Sequence, residues 1–195
     1  MSKSISSVGG TAWINLVNTR YISDNQPIDL LSEDSSILLW LEENQLLRSA
    51  DSYALRENKN LLNSLTEHLL KLRELCKLVI DDLEEQGQLS PIVIDQLKRL
   101  TEQVKINLMI DSESEDLSLV YEGVTLTDHV IYKIVQSVIQ TLATASTKQI
   151  RKCEHSECRL YFVDTSKSGR RRWCSMELCG NRHKAAKYYA RKKKK

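Results

Sequence analysis

The chain has 195 residues, 41% of them apolar and 28% charged, enough for one good core plus a small appended module. Its net charge of +2 hides a division: residues 148–195 hold 16 Lys and Arg against 4 Asp and Glu, whereas residues 1–147 hold 12 against 22. That asymmetry directs the basic end toward nucleic acid or an acidic membrane surface. No stretch approaches the ~18 uncharged apolar residues of a membrane span, and MSKSISSVGG lacks the apolar core of a secretory signal. A cytoplasmic, nucleoid-associated protein with reduced thiols is therefore expected, in which clustered cysteines mean metal or catalysis rather than disulfides.

Six Gly and two Pro leave little punctuation, which favours helices. Trp13 to Arg20 reads as a short helix ending in a polar turn, and ISDNQPIDLLS as turn-rich. Asp34 or Ser35 is placed to cap a helix over ILLWLEENQLL, with Leu38, Leu39 and Trp40 toward its apolar side. Leu62, Leu65, Leu69, Leu72, Cys76, Val79 and Leu83 recur at steps of three and four. They predict one long helix from about Ser52 to Gln86, ending near Gly87. Its stripe spans barely three heptads and fits a core helix better than a coiled-coil seam, although it leaves a homodimer open. Cys76 sits on the stripe as a small apolar side chain.

Ser90-Pro91 supplies a cap and a first-turn proline for a second helix with Ile94, Leu97, Leu100 and Val104 on one side. Alternation in KINLMI and DLSLVYEG predicts a short β-hairpin across the polar DSESE. A third helix begins at Thr127 or Asp128, with Val130, Ile134, Val138 and Leu142 inward, and runs to about Ser146. The chain closes on KKKK. The fold class is thus mainly α. A helical N-terminal domain with one hairpin covers residues 1–147, and a small finger covers residues 148–195.

The finger rests on Cys153, Cys158, Cys174 and Cys179, two C-x4-C pairs separated by 15 residues. Four sulfur donors suit Zn²⁺, and short Cys-Cys spacings let one turn present two thiolates to one ion. Between the pairs, Leu160 to Val163 predicts a strand, Thr165 to Gly169 a turn, and Arg171 to Trp173 the return strand. Ser175 can then cap a helix that carries Cys179 near its start. This order, knuckle then hairpin then helix, is that of a treble-clef finger. With all four ligands from protein, no position is left for a catalytic water, and no nucleophile motif, phosphate loop or His-Glu metal set precedes residue 150. No enzymatic role is expected. His155 and His183 are alternative ligands of lower rank than the cysteines.

Arg170, Arg171 and Arg172 fall on the expected hairpin, and Asn181, Arg182, Lys184, Lys187 and Arg191 on the helix. Arg reads guanine, Asn reads adenine and Lys meets phosphate, so these eight are the candidate nucleic-acid contacts, with duplex DNA as the partner. Structured RNA is a second partner class and an acidic protein a third. Tyr188 and Tyr189 can stack on bases or pack the helix.

The segment CEHSECRLYFVDTSKSGRRRWCSMELCGNRHKAAKYYARK resembles the CGNR zinc-finger family, whose tetrapeptide is here Cys179-Gly180-Asn181-Arg182. The resemblance carries the four ligands onto the same cysteines. Upstream, INLVNTR, the Asp-Leu before WLEE, and ALRE resemble the ABATE domain, with Asn15 and Leu16 where that family often has Asp and an aromatic residue. The resemblance implies a bacterial, stress-related DNA-binding regulator whose N-terminal domain senses a small molecule or a protein partner. Asn18, Thr19, Arg20 and Arg56 are its candidate ligand-binding residues. The simpler assignment makes Asn18 and Thr19 a structural turn and Arg56 half of a surface ion pair.

Overall fold

The computed structural model describes residues 5–23, 26–111 and 117–192. The KKKK tract beyond Lys192, most of the DSESE link and two residues of the ISDNQPIDLLS turn lie outside them. The structure is mostly helical, with three small antiparallel hairpins among the described residues. Among the described residues, no helix is long and apolar enough to cross a membrane.

Helix α1 (Ala12–Val17) is buried on nearly all sides and runs through the middle of the body. Trp13 is fully buried, and its indole Nε1–H donates to Thr141 Oγ1 at 3.0 Å. Strands β1 (Arg20–Ser23) and β2 (Gln26–Asp29) follow as a hairpin, then helix α2 (Asp34–Glu43). The sequence places Leu38, Leu39 and Trp40 toward the apolar side of α2. The structure buries Trp40 with Ile37 and Leu41 and packs half-buried Leu38 against the core, but leaves Leu39 55% exposed, because helical spacing brings i, i+3 and i+4 to one face. The residue preceding the helix is Glu33, and its side chain makes no cap bond.

The long helix expected over residues 52–86 is two helices, α3 (Asp51–Glu57) and α4 (Lys59–Gln86). Asn58 separates them. Its extended backbone breaks the first helix, and its side chain accepts the Leu61 amide to cap the second. Helix α4 ends at Gly87, whose φ of 69° closes it in the left-handed conformation. The full leucine stripe on α4, with Cys76, faces the core. Burial raises the Cys76 thiol to about 12, so it stays protonated.

Ser90 caps α5 (Pro91–Gln103) with Pro91 at its start, as the sequence indicates. Strands β3 (Ile106–Asp111) and β4 (Ser118–Gly123) form the expected hairpin. Helix α6 (Leu126–Thr144) opens on a capping box between Thr125 and Asp128 and buries Val130, Ile134 and Val138. Gly123 is where hairpin meets helix. A β-carbon there would lie 1.9 Å from the His129 amide nitrogen, so only glycine permits the approach.

One buried ion pair crosses the body. Arg73 of α4, 3% exposed, donates to both Asp29 carboxylate oxygens at 2.6 and 2.8 Å and to Thr19 Oγ1 at 2.9 Å.

Candidate metal centre and basic surface

Four elements converge on the cysteines. Strand β5 (Ile150–Lys152) leads into Cys153, and a turn stabilised by Cys158 N–H donating to His155 O brings Cys158 back to it. Strand β6 (Tyr161–Val163) pairs with β5 in the register Ile150 with Val163 and Lys152 with Tyr161. The return strand expected over Arg171 to Trp173 does not form. Buried Asp164 curls the chain instead, accepting from the Ser166 amide, the Ser166 hydroxyl and the Arg171 amide. Those bonds and the charge of Arg151 hold its carboxyl below the ordinary range despite burial, which pulls the other way most strongly of all. The partner strand is drawn instead from residues 150–152, just after the domain boundary expected at residues 147–148.

Ser175 then accepts the amides of Glu177 and Leu178, starting a turn of π-helix, Met176–Gly180, that presents Cys179. Helix α7 (Asn181–Lys192) continues from it.

The four ligand sulfurs all lie within 4.8 Å of one another. Cys158 Sγ is 3.8 Å from Cys174 Sγ, which is 3.6 Å from Cys179 Sγ. A tetrahedron with ~2.3 Å metal–sulfur bonds has edges of about 3.8 Å, so the cluster fits one such ion. The Cys174 amide donates to Cys153 Sγ at 3.4 Å, the kind of outer bond that fixes a ligand's direction. Cys153 is the most readily ionised, because the Cys158 and Cys174 thiols donate toward it. Cys174 and Cys158 are pushed up by the Cys153 sulfur first, and Cys179 chiefly by burial, to about 12. A bound cation would ionise all four. Neither histidine belongs to the cluster. His155 Nδ1 faces the Glu157 amide, and His183 lies against Trp173 with centroids 5.6 Å apart.

Such a cluster, on a hairpin followed by a helix, defines a metal-binding finger of the four-cysteine type. Residues 149–192 match the family model of the CGNR zinc finger, and the match and the site together suggest zinc. No curated protein matches the chain.

The basic residues divide. Arg171 turns inward: its guanidinium stacks on Phe162 at 4.3 Å and donates to Trp173 O at 3.0 Å and to the Cys174 carbonyl. It is a structural cation of the finger, and burial lowers its pKa. Arg172 pairs with Glu154 at 2.5 Å yet stays exposed, and Arg170 is exposed. The three arginines share a groove of about 530 Å³ with Ser166, Ser168 and Trp173 at the foot of the finger helix. Beyond it α7 carries Asn181, Arg182, Lys184, Lys187 and Arg191, all exposed, and buries none of its 12 residues. Asn181, Lys184, Tyr188 and Arg191 fall on one stripe by helical spacing. Arg182 makes only a loose pair with Glu157 at 3.4 Å.

The upstream candidates are not gathered into one site. Asn18 is 2% exposed, and its amide engages the Tyr161 peptide from both sides, donating to Tyr161 O and accepting from Tyr161 N, each at 2.8 Å. Thr19 donates to Leu16 O and accepts from Arg73. Arg56 pairs with Glu42 on the surface at 2.9 Å. Arg20 lies with Asn18, Lys77, Asp81, Arg159 and Tyr161 around a cavity of about 200 Å³ that Arg56 does not line.

The sequence reading missed the finger's dependence on the N-terminal segment. Val8, fully buried, packs with Leu160, Phe162 and three of the cysteines, and Ile5 and Tyr21 close over them. Val163 N–H donates to Gly9 O at 2.9 Å. Gly9 N–H is in turn held by Asn15 Oδ1 at 2.7 Å, with Asn15 bonded onward to Asn44 at 2.6 Å. The one signal in the sequence was the apolar Val8 beside Gly9-Gly10, too short to carry a pattern.

Proposed function

We propose that this chain is a zinc-dependent DNA-binding transcription regulator of bacterial type, with an acidic ABATE-like body that senses a small molecule or a protein. The observation that carries this reading is α7, a 12-residue helix with no buried residue that projects Arg and Lys from the metal cluster. A helix polar all round gains little from its own domain and fits one that is completed by a partner. Its width suits the major groove of B-DNA, where Asn181 and Arg182 would meet base edges while Lys184, Lys187 and Arg191 meet phosphates. Arg170 and Arg172 extend the same basic surface, and Arg171 supports it from within.

Cys153, Cys158, Cys174 and Cys179 would hold the zinc, whose contribution is a structural crosslink between hairpin and helix. The finger's own apolar core is little more than Leu160 and Phe162, so metal binding would supply much of its folding free energy. We assign the chain no catalysis. The exposed Tyr188 and Tyr189, 59 and 65% accessible, favour single-stranded or structured RNA as the second reading, since every base offers a face to stack on.

The test is selection of bound sequences from a random duplex pool by zinc-loaded protein, followed by affinity measurements across salt. Five phosphate contacts give a slope near −4.5, a loss of about 500-fold between 50 and 200 mM salt. Charge reversal at Arg182 and Lys187 should abolish retention of duplex. Absence of enrichment together with tighter binding to structured RNA would replace DNA by RNA, and salt-insensitive binding would remove nucleic acid altogether.

A further inference from the structure

We propose that this chain forms a symmetric dimer through an apolar face shared by the β3–β4 hairpin and helix α6. The register sets Leu108 opposite Tyr121 and Ile110 opposite Leu119, with Ile106 one pair further along. Directly paired residues share a face, so one side of the hairpin is apolar over its whole length. Ile110 is 70% exposed, and Leu108 and Leu119 are 60% exposed. Single exposed leucines need no explanation, but a continuous face of them marks an interaction surface.

The face continues onto the helix. Tyr121 lies against Tyr132 with ring centroids 6.5 Å apart. Beside it Tyr132, Val135 and Ile139 of α6 form a groove of about 440 Å³ with Val104 and Ile106, and its remaining lining is Thr and Gln. Among the described residues no charged one lines it, although residues 1–147 carry 22 Asp and Glu against 12 Lys and Arg. A basic partner drawn to this body would seek its carboxylates rather than this uncharged face. A second copy suits the face better, because each protomer offers an apolar ridge beside an apolar groove. A two-fold axis can seat each ridge in the other's groove, as an isologous interface requires.

The area is sufficient. At roughly 150–200 Å² per fully exposed large side chain, Ile106, Leu108, Ile110, Leu119, Tyr121 and Ile139 present about 500–650 Å² at their observed exposures. Two copies then cover about 1,000–1,300 Å², at the threshold of a specific interface. A hairpin of two strands is also marginal by itself, and a second copy would supply the packing it lacks.

The inference does not rest on nucleic-acid binding. Light scattering and sedimentation equilibrium on the zinc-loaded full chain, from low micromolar to hundreds of micromolar, test it. The expected mass approaches twice 22.4 kDa and persists in molar salt, since apolar burial is not screened. Leu108→Lys and Leu119→Lys should each weaken association at least tenfold with an unchanged circular dichroism spectrum. Leu39→Lys, on an exposed leucine of α2, should leave it intact. Should either variant misfold, Ile110→Lys at the most exposed position reads the same effect. A single-chain mass throughout, or a dimer indifferent to all three substitutions, overturns the proposal.

Discussion

Replacing Asn18 by Ala removes a side chain that bonds the Tyr161 peptide from both sides. The substitution leaves one N–H and one C=O of β6 without those partners at a site where Asn18 is 2% exposed. An orphaned buried backbone group costs about 1–3 kcal/mol. Water can reach part of Tyr161, which is half-buried, so the low end applies to one group and the middle to the other. The expected loss is about 2–4 kcal/mol, measured as a shift in urea midpoint at constant slope. The same substitution should loosen the finger hairpin, read as faster amide exchange at Tyr161 and Val163. A ligand-binding role for Asn18 would leave stability nearly unchanged. A loss below about 0.5 kcal/mol, the range of ordinary surface substitutions, refutes the reasoning.

Three further expectations follow from the geometry. Elemental analysis should find one zinc per chain, and Cys174→Ser, at a fully buried sulfur, should lose it together with the circular dichroism of the finger; retention of a full equivalent would contradict the site. Gly123→Ala drives a β-carbon into the His129 backbone and should cost about 1–3 kcal/mol by calorimetry, with α6 itself intact. Asp29→Asn should cost about 3 kcal/mol at neutral pH because it leaves the Arg73 guanidinium buried without its counter-charge. For Asp29, burial raises the pKa most, but the Arg73 bond, the Leu31 amide and the charges of Arg73 and Arg20 together hold it below the ordinary 3.8. A carboxyl depressed in the folded state contributes stability that is present above the unfolded value and lost as pH falls through the folded one. The gap between wild type and Asp29→Asn should therefore be full above pH 3.8 and close below it; a gap independent of pH would show that the pair's charge is not its contribution.

What could be read beforehand was local. The leucine stripe of α4, the Ser90-Pro91 cap and the β3–β4 alternation are decided by residues within a few positions of one another, and each appears where its pattern puts it. The cysteines are legible for the same reason, since two short spacings specify two turns. Asn58 shows the limit of periodicity: an apolar stripe can run past a residue whose side chain prefers to cap, and the cap wins. Arg171 shows the limit of reading charge. Within a run of three arginines nothing distinguishes the one that turns inward; that follows from Asp164, seven residues back, and from carbonyls as distant as Val8.

Those long-range contacts also bear on how a signal could travel. The finger is tied to the body by hydrogen bonds and packing rather than by a loose linker: Asn18 grips Tyr161, Gly9 receives Val163, and Val8 fills the finger's core. Asn18 and Asn15 both belong to the segment around α1, the most enclosed helix of the body. A ligand or partner that shifted α1 would therefore have to move β6 or break the two Asn18–Tyr161 hydrogen bonds, and β6 follows closely on the Cys158 turn. Coupling of that kind needs two states that both sites bias. The Asn18 variant supplies the discriminating case, because it cuts one of these ties while leaving the four cysteines and the basic helix in place.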